Sequence, residues 1–152
     1  SIKIFFSVFS CFDNKNGATD NSIKDNIAAE AVDSLFTENE VNEFVYFKDY
    51  TNLLEKSDGE ISVLFGLESL RYINQRPRKF TYFLTKLNDN QIHTWSRVIF
   101  SEIQISEEGN EKEFIEGIEK FLLSEIELLT KEVKYSTIKF IRFLKEKQSE
   151  LN

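Results

Sequence analysis

From Ile115 onward the apolar residues Ile115, Ile118, Leu122, Ile126, Leu129 and Val133 recur at spacings of three and four. That rhythm matches the 3.6-residue turn of an α-helix, so the C-terminal third of the chain reads as helical. Phe114, Phe121 and Leu128 widen the stripe to one side. At about 100° per residue, Glu113, Glu116, Lys120 and Glu127 fall together on the opposite face, with Leu123 projecting near them. Tyr135-Ser-Thr137 reads as a weak point, after which Ile138, Ile141 and Leu144 continue the pattern among Lys139, Arg142, Lys145 and Lys147. Cations at this end suit the negative pole of a helix dipole.

A second helix is expected from about Ser22 to Phe36. Ser22-Ile-Lys-Asp25 has the form of a helix start, in which a hydroxyl caps an orphan backbone N–H and a carboxylate meets the positive end of the dipole. The other segments read as strands. Ile2, Ile4, Phe6 and Val8 alternate with Lys3, Phe5, Ser7 and Phe9, and Asp13 to Asn21 is a polar loop. Glu43 to Tyr50 is dense in aromatics and Ile61 to Leu67 in apolar residues, with the turn Lys56-Ser-Asp-Gly59 between them. Pro77 cannot donate to a ladder, so pairing is expected to begin with Lys79 to Leu87. Asn88-Asp89-Asn90 reads as a turn, followed by a long strand from Gln91 to Ser106 with Trp95, Ile99, Ile103 and Ile105 on one face. The expected architecture is a single α+β domain over residues 1–152: a mainly antiparallel sheet packed against an N-terminal helix and a long C-terminal helical segment. A chain of 152 residues holds one core, and 15 Phe beside 5 Gly and 1 Pro make that core aromatic.

Most catalytic constellations cannot be assembled from these residues. One Cys and one His exclude an internal disulfide and a zinc site. Gly17, Gly59, Gly66, Gly109 and Gly117 form neither a dinucleotide-binding nor a P-loop motif. His93 sits between Ile92 and Thr94 without a nucleophile elbow anywhere in the chain, and Cys11 lies in an apolar run that suits a small core residue. No enzymatic activity, cofactor or metal is expected. No apolar run reaches the ~18 to 20 residues of a membrane span. The N-terminal stretch lacks a small-x-small cleavage pattern and is followed by Asp13-Asn14-Lys15-Asn16, so it reads as a strand of a cytoplasmic protein; a lone Cys fits a reducing compartment.

Charge is banded along the chain. Residues 1–67 carry 5 basic and 12 acidic side chains, residues 68–100 carry 6 and 2, residues 101–132 carry 3 and 10, and residues 133–152 carry 5 and 2, for a net −7. The first basic band, with Arg71, Tyr72, Arg76, Arg78, Lys79, Phe80, Tyr82 and Arg97, has the composition of a nucleic-acid surface, but the net charge repels a polyanion. The acidic bands suit a basic protein partner, steered by charge and anchored by apolar contacts. Asp25, Glu30, Asp33, Glu38 and Glu40 are the candidates in the first band, and Glu113, Glu116, Leu123 and Glu127 in the second.

A small, acidic chain without recognisable catalytic chemistry resembles the immunity proteins of bacterial toxin systems. The resemblance is one of size, charge and missing chemistry. It implies an antitoxin role in which carboxylates block the basic substrate surface of a cognate nuclease toxin. Two other roles fit the sequence: a nucleic-acid-binding or regulatory module using Arg71 to Arg97, and a structural or oligomerising protein using the amphipathic C-terminal helix.

Overall fold

The computed structural model of the chain describes residues 20–57 and 59–151, and among them every regular element is an α-helix. They are α1 (Asp20–Leu35), α2 (Glu43–Lys56), α3 (Gly59–Gln75), α4 (Pro77–Leu84), α5 (Asp89–Ser106), α6 (Glu111–Glu125) and α7 (Lys131–Ser149). The expected α+β architecture is therefore corrected to an all-α one. The helix expected near Ser22 to Phe36 is present as α1; the expected first strand and Cys11 lie outside the described residues.

Each of the four other expected strands is a helix, for a physical reason that can be read residue by residue. In α5 the buried residues include Ile92, Trp95, Ser96, Ile99 and Ile103. A spacing of four, as in Trp95, Ile99 and Ile103, places side chains on one face of either a strand or a helix. Ile92 breaks the tie: a spacing of three crosses to the opposite face of a strand but stays on the same face of a helix. Asn88 is a helix cap rather than a turn residue. Its Oδ1 accepts from the Gln91 backbone N–H at 2.9 Å while the Gln91 side chain accepts from the Asn88 N–H at 3.0 Å, a reciprocal capping box. Phe47, Tyr50, Thr51 and Leu54 give α2 the same three-and-four spacing, extended past the aromatic segment that suggested a strand. Pro77 starts α4 at the helix position where a missing N–H costs nothing.

The C-terminal segment is helical as expected but divides elsewhere. The break falls at residues 126–130, where Thr130 caps α7 by accepting from the Val133 N–H at 3.4 Å. Ser136 and Thr137, read as a weak point, are buried inside α7, and the Thr137 hydroxyl donates to the Val133 carbonyl at 2.8 Å. Their small side chains suit the packed face.

α5 is the hub, packing on α2, α3 and α7. Trp95 of α5 is fully buried and stacks on Phe47 with ring centroids 5.1 Å apart and planes 9° from parallel. Tyr50, Tyr72 and Phe80 close the cage at 5.5, 6.3 and 5.2 Å, and Phe140 of α7 meets Phe80 edge-on at 5.1 Å. Burying an indole demands a partner for its N–H, and Thr51 supplies it: Trp95 Nε1 donates to Thr51 Oγ1 at 2.9 Å, and that hydroxyl donates to the Phe47 carbonyl at 2.9 Å. The Tyr50 hydroxyl pairs with Ser69 Oγ at 2.8 Å, tying α2 to α3. Among the described residues no buried side-chain N or O atom lacks a hydrogen-bond partner. Gly66 lets α3 approach α5, because a methyl group there would lie 2.8 Å from Glu102 Cβ.

The Trp95–Thr51 bond sets a stability test. Thr51→Val is expected to destabilise the protein by about 1–3 kcal/mol in urea unfolding, since the buried N–H loses its acceptor. In the Thr51→Val/Trp95→Phe double variant the loss is expected to fall short of the sum of the two single losses, because no donor is then left unpaired.

Candidate functional site

Sequence reasoning pointed to two acidic bands, and the helices carry them on separate supports. α1 rests on α2 and α3, with Leu35 buried and Ala28, Ala31, Val32 and Phe36 partly so. Glu30 and Asp33 are exposed on α1, Asp25 is a residue of the same helix, and Glu38 and Glu40 are exposed in the connection to α2. In that connection Thr37 Oγ1 accepts from the Asn39 N–H and Asn39 Oδ1 from the Val41 N–H, each at 3.2 Å. Val41 projects beside these carboxylates, almost wholly exposed.

The second band is built by α6. Gly109, with φ of +87°, takes the left-handed turn that leads from α5 into it. Ile115, Ile118, Phe121 and Leu122 bury one side of α6 against its neighbours, chiefly α7 and α4. Rotation then brings Glu113, Glu116 and Lys120 to the outside together with Leu123, which is 37% exposed. Glu113 also meets the positive end of the helix dipole. Glu127 is exposed in the turn that follows. Glu113, Glu116 and Leu123 thus share the outer face of α6, and Glu127 lies beyond its end.

The sequence reading misplaced several apolar residues: Leu129 and Ile138 of the expected stripe are 37% and 56% exposed, and Ile105 of the expected strand face is 60% exposed. Leu128, assigned to the flank of the buried stripe, is 97% exposed. The stripe continues at helical spacing through a segment where the helix has already ended, so periodicity alone could not reveal it. The adjoining Thr130, a good cap residue, was the available signal.

Ion pairing sorts the carboxylates. Glu119 and Glu125 of α6 pair with Lys145 at 2.9 Å and Arg78 at 3.6 Å. Glu113, Glu116 and Glu127 form no ion pair among the described residues. Cations of the first basic band are largely engaged within the fold. The Arg76 guanidinium donates to the Phe36 and Thr37 carbonyls at 2.6 and 2.7 Å, satisfying the open end of α1. Arg71 grips Glu68, Lys79 pairs with Glu43, and Arg97 donates to the Leu54 carbonyl at 3.0 Å. Tyr72 and Phe80 are core residues, leaving Arg78 and Tyr82 outward.

Other polar and titratable groups make contacts within the fold. His93 stacks on Phe143 with centroids 3.9 Å apart. Lys139 donates to Asp89 at 2.8 Å, a hydrogen bond that holds the Asp89 carboxyl below its ordinary range and raises the Lys139 ammonium. No group of three His, Cys, Asp or Glu side chains among the described residues could hold a metal ion. No helix among them is long and apolar enough to cross a membrane. Compared with known proteins, the chain matches no family model, no curated protein and no solved structure.

Glu102 lies on α5 against Gly66, and burial pushes its carboxyl above the ordinary value of 4.5. A raised carboxyl binds its proton more tightly when folded, so its contribution to stability is complete below about pH 4.5 and is lost as pH rises through the folded value. Glu102→Gln is expected to raise the thermal midpoint by a few degrees at about pH 7 and leave it nearly unchanged at about pH 4, as read by calorimetry across pH.

Proposed function

We propose that this chain is an inhibitory binding protein of the immunity type, whose outer α6 face docks on the basic substrate surface of a nuclease toxin. One observation carries the reading. On α6 Glu119 and Glu125 are engaged in ion pairs, while Glu113 and Glu116 on its outer face with Leu123, and Glu127 and Leu128 in the turn that follows, form none among the described residues. Free carboxylates around exposed leucines combine long-range steering with apolar anchors.

Inhibition is then steric and electrostatic. Phosphate and carboxylate compete for the same cations, so a protein presenting a fixed row of carboxylates occupies the surface that nucleic acid would enter. α6 holds Glu113, Glu116 and Leu123 in place before binding, which lowers the ordering cost. The band from Arg71 to Arg97 offers less to a polyanion, since Arg71, Arg76, Lys79 and Arg97 are engaged within the fold.

The test is association with a nuclease toxin domain, sought among the genes adjacent to this one, followed by calorimetry and by protection of the nucleic-acid substrate. Glu113→Lys/Glu116→Lys/Glu127→Lys is expected to weaken the complex by about 10- to 100-fold with helical content unchanged, and raised salt to slow association. A tight complex insensitive to both changes overturns the reading.

A further inference from the structure

The outward face of α7 is the feature that immunity-type binding leaves unused. Lys131, Lys134, Tyr135, Ile138 and Arg142 recur at spacings of three and four, which gathers them on one stripe of the helix. Tyr135 is 65% exposed and Ile138 56%. Neighbouring cations are engaged within the chain, Lys139 with Asp89 and Lys145 with Glu119; on the stripe itself Arg142 makes a looser, exposed contact with Glu146 at 3.7 Å, whereas Lys131 and Lys134 form no ion pair among the described residues. A stripe that is both cationic and apolar fits an acidic partner with apolar side chains of its own.

We infer that this partner is the α6 face of a second copy of the chain. α6 carries the opposite charge around an exposed leucine, and the two helices form a hairpin joined by residues 126–130. A two-fold axis along the hairpin sets each α7 against the other copy's α6, so the same pair of surfaces is used twice and the assembly closes as a dimer.

The register supports this pairing. Measured from Leu128 at about 1.5 Å per residue, Glu113 lies about 22 Å away along α6 and Arg142 about 21 Å along α7. By the same measure Leu123 stands about 8 Å from the turn and Tyr135 about 10 Å, while Glu127 and Lys131 flank it. Arg142 therefore meets Glu113 at the far end and Lys131 meets Glu127 at the turn, while between them Leu123 meets Tyr135 and the stem of Lys134, and Ile138 lies between Lys120 and Glu116. This inference needs no toxin and stands apart from the immunity reading: the dimer covers the α6 face that a toxin would use, so any toxin complex would form from the monomer.

Sedimentation equilibrium of the full chain alone tests it. The protein is expected to dimerise reversibly at about 0.1 mM and to dissociate at least about tenfold more readily when salt rises from about 0.05 to 0.5 M. Lys131→Glu/Lys134→Glu/Arg142→Glu and, separately, Glu113→Lys/Glu116→Lys/Glu127→Lys are each expected to be monomeric with helical circular dichroism intact. Mixed one to one, the two variants are expected to form the dimer that neither forms alone. A monomeric parent chain, a dimer that survives either reversal, or a monomer that binds phosphatidylserine vesicles through Tyr135 and Ile138 would overturn the assignment.

Discussion

Burying one indole with its N–H satisfied is the constraint on which this fold turns. Trp95 lies within rings from α2, α3 and α4, and the only side-chain acceptor it uses is the hydroxyl of Thr51. That hydroxyl must itself reach the Phe47 carbonyl one helical turn back, so α2 has to sit at one rotation and one height against α5. Ser69 makes the same demand of α3 through Tyr50. Apolar burial supplies most of the driving force, but these polar links select one arrangement of helices from the many that would bury the same rings.

Charge is divided along the same line. Cations near the core hold the fold together: Arg76 closes the end of α1, Arg97 reaches the Leu54 carbonyl, and Lys79 links α4 to α2. Carboxylates away from such cations project from α1, from the connection after it and from α6. Among the described residues the excess of negative charge is therefore expressed mainly on surfaces that carry little of the packing. Substitution there alters the electrostatic field while leaving the aromatic cage intact.

The helical face of α6 was legible in the sequence and much of the fold was not, and both outcomes have one cause. The α6 face was readable because Ile115, Ile118 and Leu122 alternate spacings of three and four, a pattern that only a helix brings to one side. In α5 the most conspicuous residues, Trp95, Ile99 and Ile103, are four apart, and four is also twice the strand period. Phe and Tyr, abundant here, favour strands on exposed pleats, yet in a helical core they serve as well wherever partner rings surround them. The end of α6 was hidden for the converse reason: Leu128 keeps the apolar rhythm after the helix has stopped. Local capping chemistry, Asn88 with Gln91 and Thr130 with Val133, marked the true boundaries more faithfully than the hydrophobic pattern did.

The buried indole also makes the molecule its own optical gauge. Trp95 is the chain's sole tryptophan, so emission excited near the red edge of aromatic absorption comes from one fluorophore at the meeting point of four helices. While the cage is shut, aqueous quenchers such as iodide have no path to it. Any opening that parts α2, α3 or α4 from α5 turns that light red and quenchable, and an event confined to the rim of α1 or α6 leaves the spectrum silent.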